Sequence, residues 1–241
     1  MKITGFNEAE IVYLLAMASP THSVPTDCYF KGWRTPWYGK KRHKMGIDLE
    51  LGQGLGGCSF WNYYSYIGFD PRRIKYGSKT NFEHFQDLTR LQIKYMRSKA
   101  DTFKGYDSLW GLTASPCPDG YVAHKPGLDN GTICPPASLS SIVYTPKESI
   151  GCLKEMYYKH GAQLWKEFGF VEAFNLSKSW TYKGYLAIDT APVAPMIENF
   201  RTGLLWKLFM NAPEIKAVMK KLESVKPGVT VPFDKVLQIK K

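Results

Sequence analysis

Apolar residues in this chain recur at helical spacing in a few well-separated segments. Ile11, Leu14, Leu15 and Ala18 fall at three- and four-residue steps, and Asn7 with Glu10 has capping-box spacing. A helix is therefore predicted from Asn7 to about Ala18, ending before Pro20. Phe60 to Gly68 reads as a ring-dense helix. Asn81 to Ser98 reads as an amphipathic one with Phe82, Phe85, Leu88, Leu91 and Tyr95 on one side. Thr145-Pro146-Lys147-Glu148 joins a Thr cap, Pro at the first helical position and Glu at the third, which predicts a helix from Glu148 to His160. A short helix over Ala162 to Phe168 follows. A longer one opens near Pro192, with Met196, Ile197, Phe200, Leu204 and Leu208 as its stripe, and Pro213 starts a last helix to about Leu222. Only one strand pattern stands out: Ile47, Leu49 and Leu51 alternate with Asp48 and Glu50, predicting a short hairpin near Met45 to Leu51.

Two long irregular stretches, Ser19 to Gly57 and Lys104 to Tyr144, separate these helices. They are rich in Pro, Gly, Trp and Tyr, and loops of that length inside a domain usually carry function. No repeat of fixed length is visible. The expected fold class is all-α, with about six helices in pairs and the long loops gathered at one end, where sites are built. Beyond Leu222 the sequence is polar and loosely patterned to Lys241.

Composition adjusts this picture in three ways. With 241 residues and 44% apolar content the chain can bury a sizeable core, and a single domain over residues 1–241 is expected. Seven Trp and fifteen Tyr exceed what a core alone requires, because each carries a polar tip that wants a partner. The net charge of +11 raises the question of nucleic acid, but the densest run, Lys40 to Lys44, is short and the other cations are scattered. They read as solvated faces, and no nucleic-acid partner is expected. The apolar run Ile11 to Ala18 is too short to span a bilayer, and no export signal is visible. Asn130 and Asn175 open Asn-x-Ser/Thr triplets, which matter only in a secreted eukaryotic chain.

Most motif chemistry is absent. Five cysteines show no CxxC spacing and no His at zinc spacing, so neither a metal site nor a disulfide framework is expected. Cys117 and Cys134 flank one loop and could pair, but free buried thiols are the better reading. Gly52 to Gly57 formally matches GxGxxG, yet bulky residues follow it and no βαβ unit surrounds it. It reads as a turn, and no cofactor is expected. Neither HExxH nor GxSxG occurs.

The acids are more informative. Gly169 to Leu208, with Glu214 just beyond, sets Glu172, Asp189 and Glu198 among Trp180, Tyr182, Tyr185 and Arg201. Rings stack on the apolar faces of pyranoses, and two carboxyl groups can protonate a glycosidic oxygen and activate water. The plain alternatives are core rings, a first-turn acid for Glu8 and a helix cap for Asp189.

Several segments resemble the glycoamylase-like family, which includes bacterial endo-β-1,2-glucanases and a domain of cyclic β-1,2-glucan synthases. They are Gly5-Phe6-Asn7-Glu8-Ala9, Tyr13 to His22, Tyr64 to Arg72, Trp110 to Ser115, Asp119-Gly120-Tyr121, Asp129 to Ile133, Thr145 to Ser149, Phe168-Gly169-Phe170 with Ala173-Phe174-Asn175, and Ala187-Ile188-Asp189 through Leu204. They follow the family's order along almost the whole chain. The resemblance implies an (α/α)6 toroid and hydrolysis of β-linked glucan, with inversion in the β-1,2-glucanases. It makes Glu8 the candidate general acid and Asp189 the candidate base. Trp33, Tyr63, Trp110, Thr113, His124, Glu172, Asn175 and Arg201 become candidate sugar contacts.

Four departures bear on that reading. Glu172 stands where the family usually has Asp, Thr190-Ala191 replaces Gln-Gly, and Tyr63 occupies a position often held by His. In length the chain matches roughly the C-terminal half of a toroid. A partial toroid with uncovered apolar stripes is therefore expected, either the product of a split or truncated gene or a chain whose ring a second polypeptide completes, its substrate an oligo- or polysaccharide. Family members are commonly periplasmic or secreted. The rival reading is a carbohydrate-binding remnant that keeps the rings without the chemistry.

Overall fold

The computed structural model describes residues 3–35 and 38–225. It is mostly helical, with eight α-helices among the described residues and five two-stranded antiparallel hairpins. The predicted polar tail beyond residue 225 lies outside the described residues.

The first helix, α1 (Glu10–Ala18), starts later than predicted. Asn7 bonds the amide of Ala9 at 2.9 Å, which caps a turn ahead of the helix, and the Asn7/Glu10 capping box does not form. Glu10 turns inward instead. The buried face of α1 is Glu10, Leu14 and Met17, whereas Leu15, expected inside, is exposed together with Val12. A wide helical turn (Cys28–Trp33) follows, then the hairpin of β1 (Arg42–Lys44) and β2 (Ile47–Leu49). The turn between them, Met45-Gly46, has positive φ at both residues (52° and 74°), as a two-residue hairpin connection demands.

Phe60 to Gly68 is not the helix expected. Only a 3-10 turn (Ser59–Asn62) forms, and the rest folds as successive turns. Its bulky rings leave in several directions at once, which a single helix face could not satisfy. After the two-residue strands β3 (Lys75–Tyr76) and β4 (Lys79–Thr80) comes α2 (Asn81–Arg97), close to the prediction. Its start is a capping box: the Thr80 hydroxyl accepts from the Glu83 amide at 3.2 Å, and Glu83 accepts from the Thr80 amide at 2.7 Å. Phe85, Leu88, Leu91, Tyr95 and Met96 are its buried face.

The second long loop contains the hairpin β5 (Ala114–Cys117) and β6 (Gly120–Ala123) and the short helix α3 (Pro135–Ser140). Next, α4 (Pro146–Leu164) runs one turn past the predicted end at His160. What was expected to be a separate helix over 162–168 is the end of α4 plus a hairpin of β7 (Trp165–Lys166) and β8 (Gly169–Phe170). A further hairpin joins β9 (Phe174–Asn175) to β10 (Trp180–Thr181), and α5 (Ala187–Thr190) carries Asp189. The stripe from Met196 to Leu208 spans two helices, α6 (Val193–Arg201) and α7 (Leu204–Asn211). Gly203, at φ 69°, takes the left-handed conformation that ends the first. Finally α8 (Pro213–Val225) packs back on α1, while α3 lies against both α4 and α6.

Two hydrophobic clusters hold these elements. The larger joins Leu14, Tyr29, Trp33, Tyr66, Phe85, Met196 and Trp206. The other joins Trp110, Leu112, Ile133, Met156, Phe170 and Phe174. Leu204 and Leu208 of α7 remain exposed, as do Ile188 and the rings of Tyr158 and Phe168. Four cysteines are buried and free, and Cys28 is free and exposed. Cys117 and Cys134 do not pair. Among the described residues no helix is long and apolar enough to cross a membrane, and no cluster of His, Cys, Asp or Glu could hold a metal ion.

Candidate active site

The site lies where the second long loop, the 59–67 turns and α5 meet. Glu172 is fixed on both sides along the chain. The Val171 amide donates to the Leu164 carbonyl at 2.9 Å, and Phe174 exchanges two backbone bonds with Ile133 at 2.8 and 2.9 Å. Its side chain is fully enclosed (0% exposed). The Cys134 thiol reaches one carboxyl oxygen at 3.3 Å, and the Leu186 amide and Thr190 hydroxyl reach the other at 3.4 Å. Asp189, 2% exposed, lies against Glu172. The Tyr64 hydroxyl donates to one Asp189 oxygen, and the other is buried without a fixed donor.

Among the described residues no ion pair neutralises these two acids. Burial pushes the Glu172 carboxyl up, and the charge of Asp189 adds to it, bringing its pKa to about 7. Asp189 is also raised by burial, while the bond from Tyr64 and the neighbouring Glu172 carboxyl pull it back. Two enclosed carboxyl groups in contact cannot both ionise cheaply. The proton stays on Glu172, and the charge settles on Asp189.

Tyrosines surround the pair. Tyr63 is fully buried, with its hydroxyl facing Thr113 and its pKa raised first by burial and then by Cys134, Tyr64 and Asp189. Tyr121, on β6, is 59% exposed. It feels, after burial, the charges of Asp189 and Glu172 and then those of Cys134 and Cys58. An exposed ring thus lies within the field of the acids. Glu8 is exposed in the turn before α1, and its field reaches Cys58, whose thiol burial raises to about 11.

The other candidates divide. Thr113 and His124 stand behind Tyr63. The His124 Nδ1 lies 3.2 Å from the Ser115 hydroxyl and 3.3 Å from the Thr113 carbonyl, and burial lowers its pKa. Trp33, Trp110 and Asn175 offer no surface to a ligand in this structure. Trp33 packs among Tyr13 and Tyr38, and Trp110 donates to the Glu148 carbonyl at 3.3 Å. Asn175 closes a local turn by accepting from the Lys178 amide at 3.0 Å. Arg201 is exposed on α6 and pairs with Glu198 at 3.1 Å. Sequence reasoning missed Tyr64 and Cys134 as partners of the acids, and it gave Glu10 a capping role. Tyr64 lies in a segment that carries the resemblance, but one ring among eight aromatic or polar neighbours gives no individual signal.

Known proteins share this sequence and fold. The model of a family described as "Putative glucoamylase" matches residues 1–213. An exo-β-1,2-glucooligosaccharide sophorohydrolase of Parabacteroides distasonis is 35% identical over 93% of this chain and 34% of its own length. A putative glucoamylase from Bacteroides uniformis superimposes with a TM-score of 0.88 at 42% identity, over 91% of this chain and 54% of that one. An endo-β-1,2-glucanase from Chitinophaga pinensis, solved with sophorotriose and glucose, superimposes at 0.86 with 38% identity, over 91% and 55%. The chain spans about a third of the curated relative and about half of the solved ones. With a family model covering most of its length and side chains arranged as above, the chain belongs to the glycoamylase-like family of putative glucoamylases.

Proposed function

We propose that this chain is the second half of a helical toroid that hydrolyses β-1,2-linked glucan with inversion. The observation that carries the reading is Asp189: an enclosed carboxylate steadied by Tyr64 and backed by a proton-holding Glu172. Glu172 and Asp189 touch, so they do not stand on opposite sides of a glycosidic bond, which needs carboxyl groups about 5–9.5 Å apart. The second catalytic group comes from another element, and exposed Glu8, the acid of the Asn-Glu-Ala motif, is our candidate to supply it. Asp189 takes a proton from the attacking water while Glu8 delivers one toward the leaving oxygen. The β-1,2 linkage follows from the names of the Parabacteroides and Chitinophaga relatives. A polypeptide supplying the remaining helices would cover Val12, Leu15, Leu204 and Leu208, which are exposed here.

The test is release of reducing ends from linear β-1,2-glucan, by the chain alone and mixed with the N-terminal half of the Bacteroides uniformis relative. Release that disappears in Glu8→Gln and Asp189→Asn supports the assignment. Unchanged release in those variants rejects it. Glucan binding without release in either mixture favours a carbohydrate-binding remnant.

A further inference from the structure

We infer that the tripeptide Tyr64-Ser65-Tyr66 sets the distance between the two catalytic acids, with Ser65 as the positioning residue that locates Glu8. The inference rests on the proposed roles of Glu8 and Asp189.

The three consecutive side chains point to three places. Tyr64 donates to Asp189. Ser65, 1% exposed, bridges the turn that carries Glu8: its hydroxyl donates to the Glu8 carbonyl and accepts from the Ile11 amide at 3.1 Å. Tyr66 donates to Glu10, which also accepts from Tyr29. One short segment thus grips the start of α1 at residues 8, 10 and 11 and α5 at residue 189.

A ruler must itself be rigid, and this one is clamped from several sides. The Tyr144 hydroxyl holds the Asn62 carbonyl at 2.6 Å. The Trp206 indole holds the Tyr66 carbonyl at 2.7 Å, and the Asn199 amide holds the Ile67 carbonyl at 2.8 Å. Those clamps come from α6, α7 and the residue preceding the cap of α4, so the segment is fixed to the scaffold independently of either acid. Inside it, the Tyr66 amide closes a turn on Tyr63 at 2.9 Å and the Tyr64 amide one on Phe60 at 3.0 Å. Among the described residues no hydrogen bond holds the Glu8 carboxyl, so its place depends on the backbone beneath it, and Ser65 bonds to that backbone directly.

Positioning makes a kinetic signature different from a packing defect. A misplaced acid slows the chemical step while substrate still binds, so kcat falls and KM stays. Ser65→Ala is compared with Ser141→Ala, an equally buried serine whose hydroxyl bonds the Ala137 carbonyl at 2.8 Å within α3. Both are measured in whichever preparation hydrolyses linear β-1,2-glucan. Ser65→Ala is expected to lower kcat roughly 10- to 100-fold with KM within about twofold, and to speed hydrogen exchange of the Ile11 amide. Ser141→Ala leaves kcat within about twofold at a similar loss of Tm. Should Ser65→Ala fail to fold, Tyr64→Phe, which keeps the ring, tests the other arm. It removes the bond that lowers the Asp189 pKa, so the acid limb of the kcat/KM profile moves to higher pH. A Ser65→Ala enzyme with the kcat of Ser141→Ala, or an unmoved acid limb in Tyr64→Phe, overturns the inference while leaving the acids in place. Full activity in Glu8→Gln or Asp189→Asn removes the reading beneath it, and so does absence of hydrolysis in every preparation.

Discussion

Glu10 and Glu172 are both 0% exposed, and burial raises the pKa of both, yet their surroundings differ. Around Glu10 the next influences all lower it: the Arg34 guanidinium, then the hydroxyls of Tyr29 and Tyr66. Arg34 is itself surrounded by the rings of Tyr29, Phe30, Tyr38 and Tyr76, at 5.0–5.9 Å, and it donates to the Lys75 carbonyl at 3.1 Å. Around Glu172 the next influence is a second carboxylate; Cys134 and Leu186 offset it in part, and among the described residues no ion pair does. One buried acid is matched by a cation, and the other faces a like charge. A fold tolerates such conflict where chemistry repays it, so an unanswered like charge marks a candidate site more sharply than burial does.

Four substitutions test that contrast. The largest effect is expected from Asp189→Asn, which keeps shape but removes the proposed base. Hydrolysis should fall about 1000-fold or more while Tm holds or rises, because a buried charge is gone. Equal loss of Tm and activity would make Asp189 structural. Next comes Arg34→Met, which leaves Glu10 buried without its cation. A loss of about 3–5 kcal/mol in urea unfolding is expected; a loss below about 1 kcal/mol would mean that the phenols alone suffice.

Third is a pH effect. The folded pKa of Glu172, about 7, exceeds the ordinary glutamate value of 4.5, so the folded state holds more protons than the unfolded one between them. Its contribution to stability is complete below about pH 4.5 and is lost as pH rises through 7. Glu172→Gln should therefore flatten the decline in stability between pH 5 and 8, by on the order of 2 kcal/mol. Parallel curves for the two proteins would contradict the proton assignment. The smallest effect belongs to Arg201→Ala, an exposed helix-surface pair, expected to change stability by less than about 0.5 kcal/mol and hydrolysis by less than twofold. A tenfold loss of activity would return Arg201 to the site.

The helices were legible in the sequence wherever local signals decided them. Thr80 with Glu83, Pro146 and Pro213 each start a helix close to the expected place, because caps and prolines act within one turn. Residues 60–68 and 162–168 depart from the expected helices because long-range partners decide them. Trp206, Tyr144 and Asn199 hold the carbonyls of the first, and β7–β8 pairing bends the second away from α4. The site shows the same division. The Asp in Ala-Ile-Asp and the Glu before Ala-Phe-Asn could be selected by their motifs. That Glu172 is the partner of Asp189 could not, since contact across seventeen residues depends on two loops meeting. Glu10 looked like a capping residue because its true partners lie 19 and 56 positions away.

The bond between Tyr64 and Asp189 joins residues 125 positions apart. A contact of that span forms only after the intervening chain has folded and closed, which makes it one of the slower events in acquiring the native state. Rings and helices can therefore accumulate in a growing chain long before Tyr64 and Asp189 meet, and the catalytic competence proposed for the site should arrive with the final cooperative closure rather than by degrees.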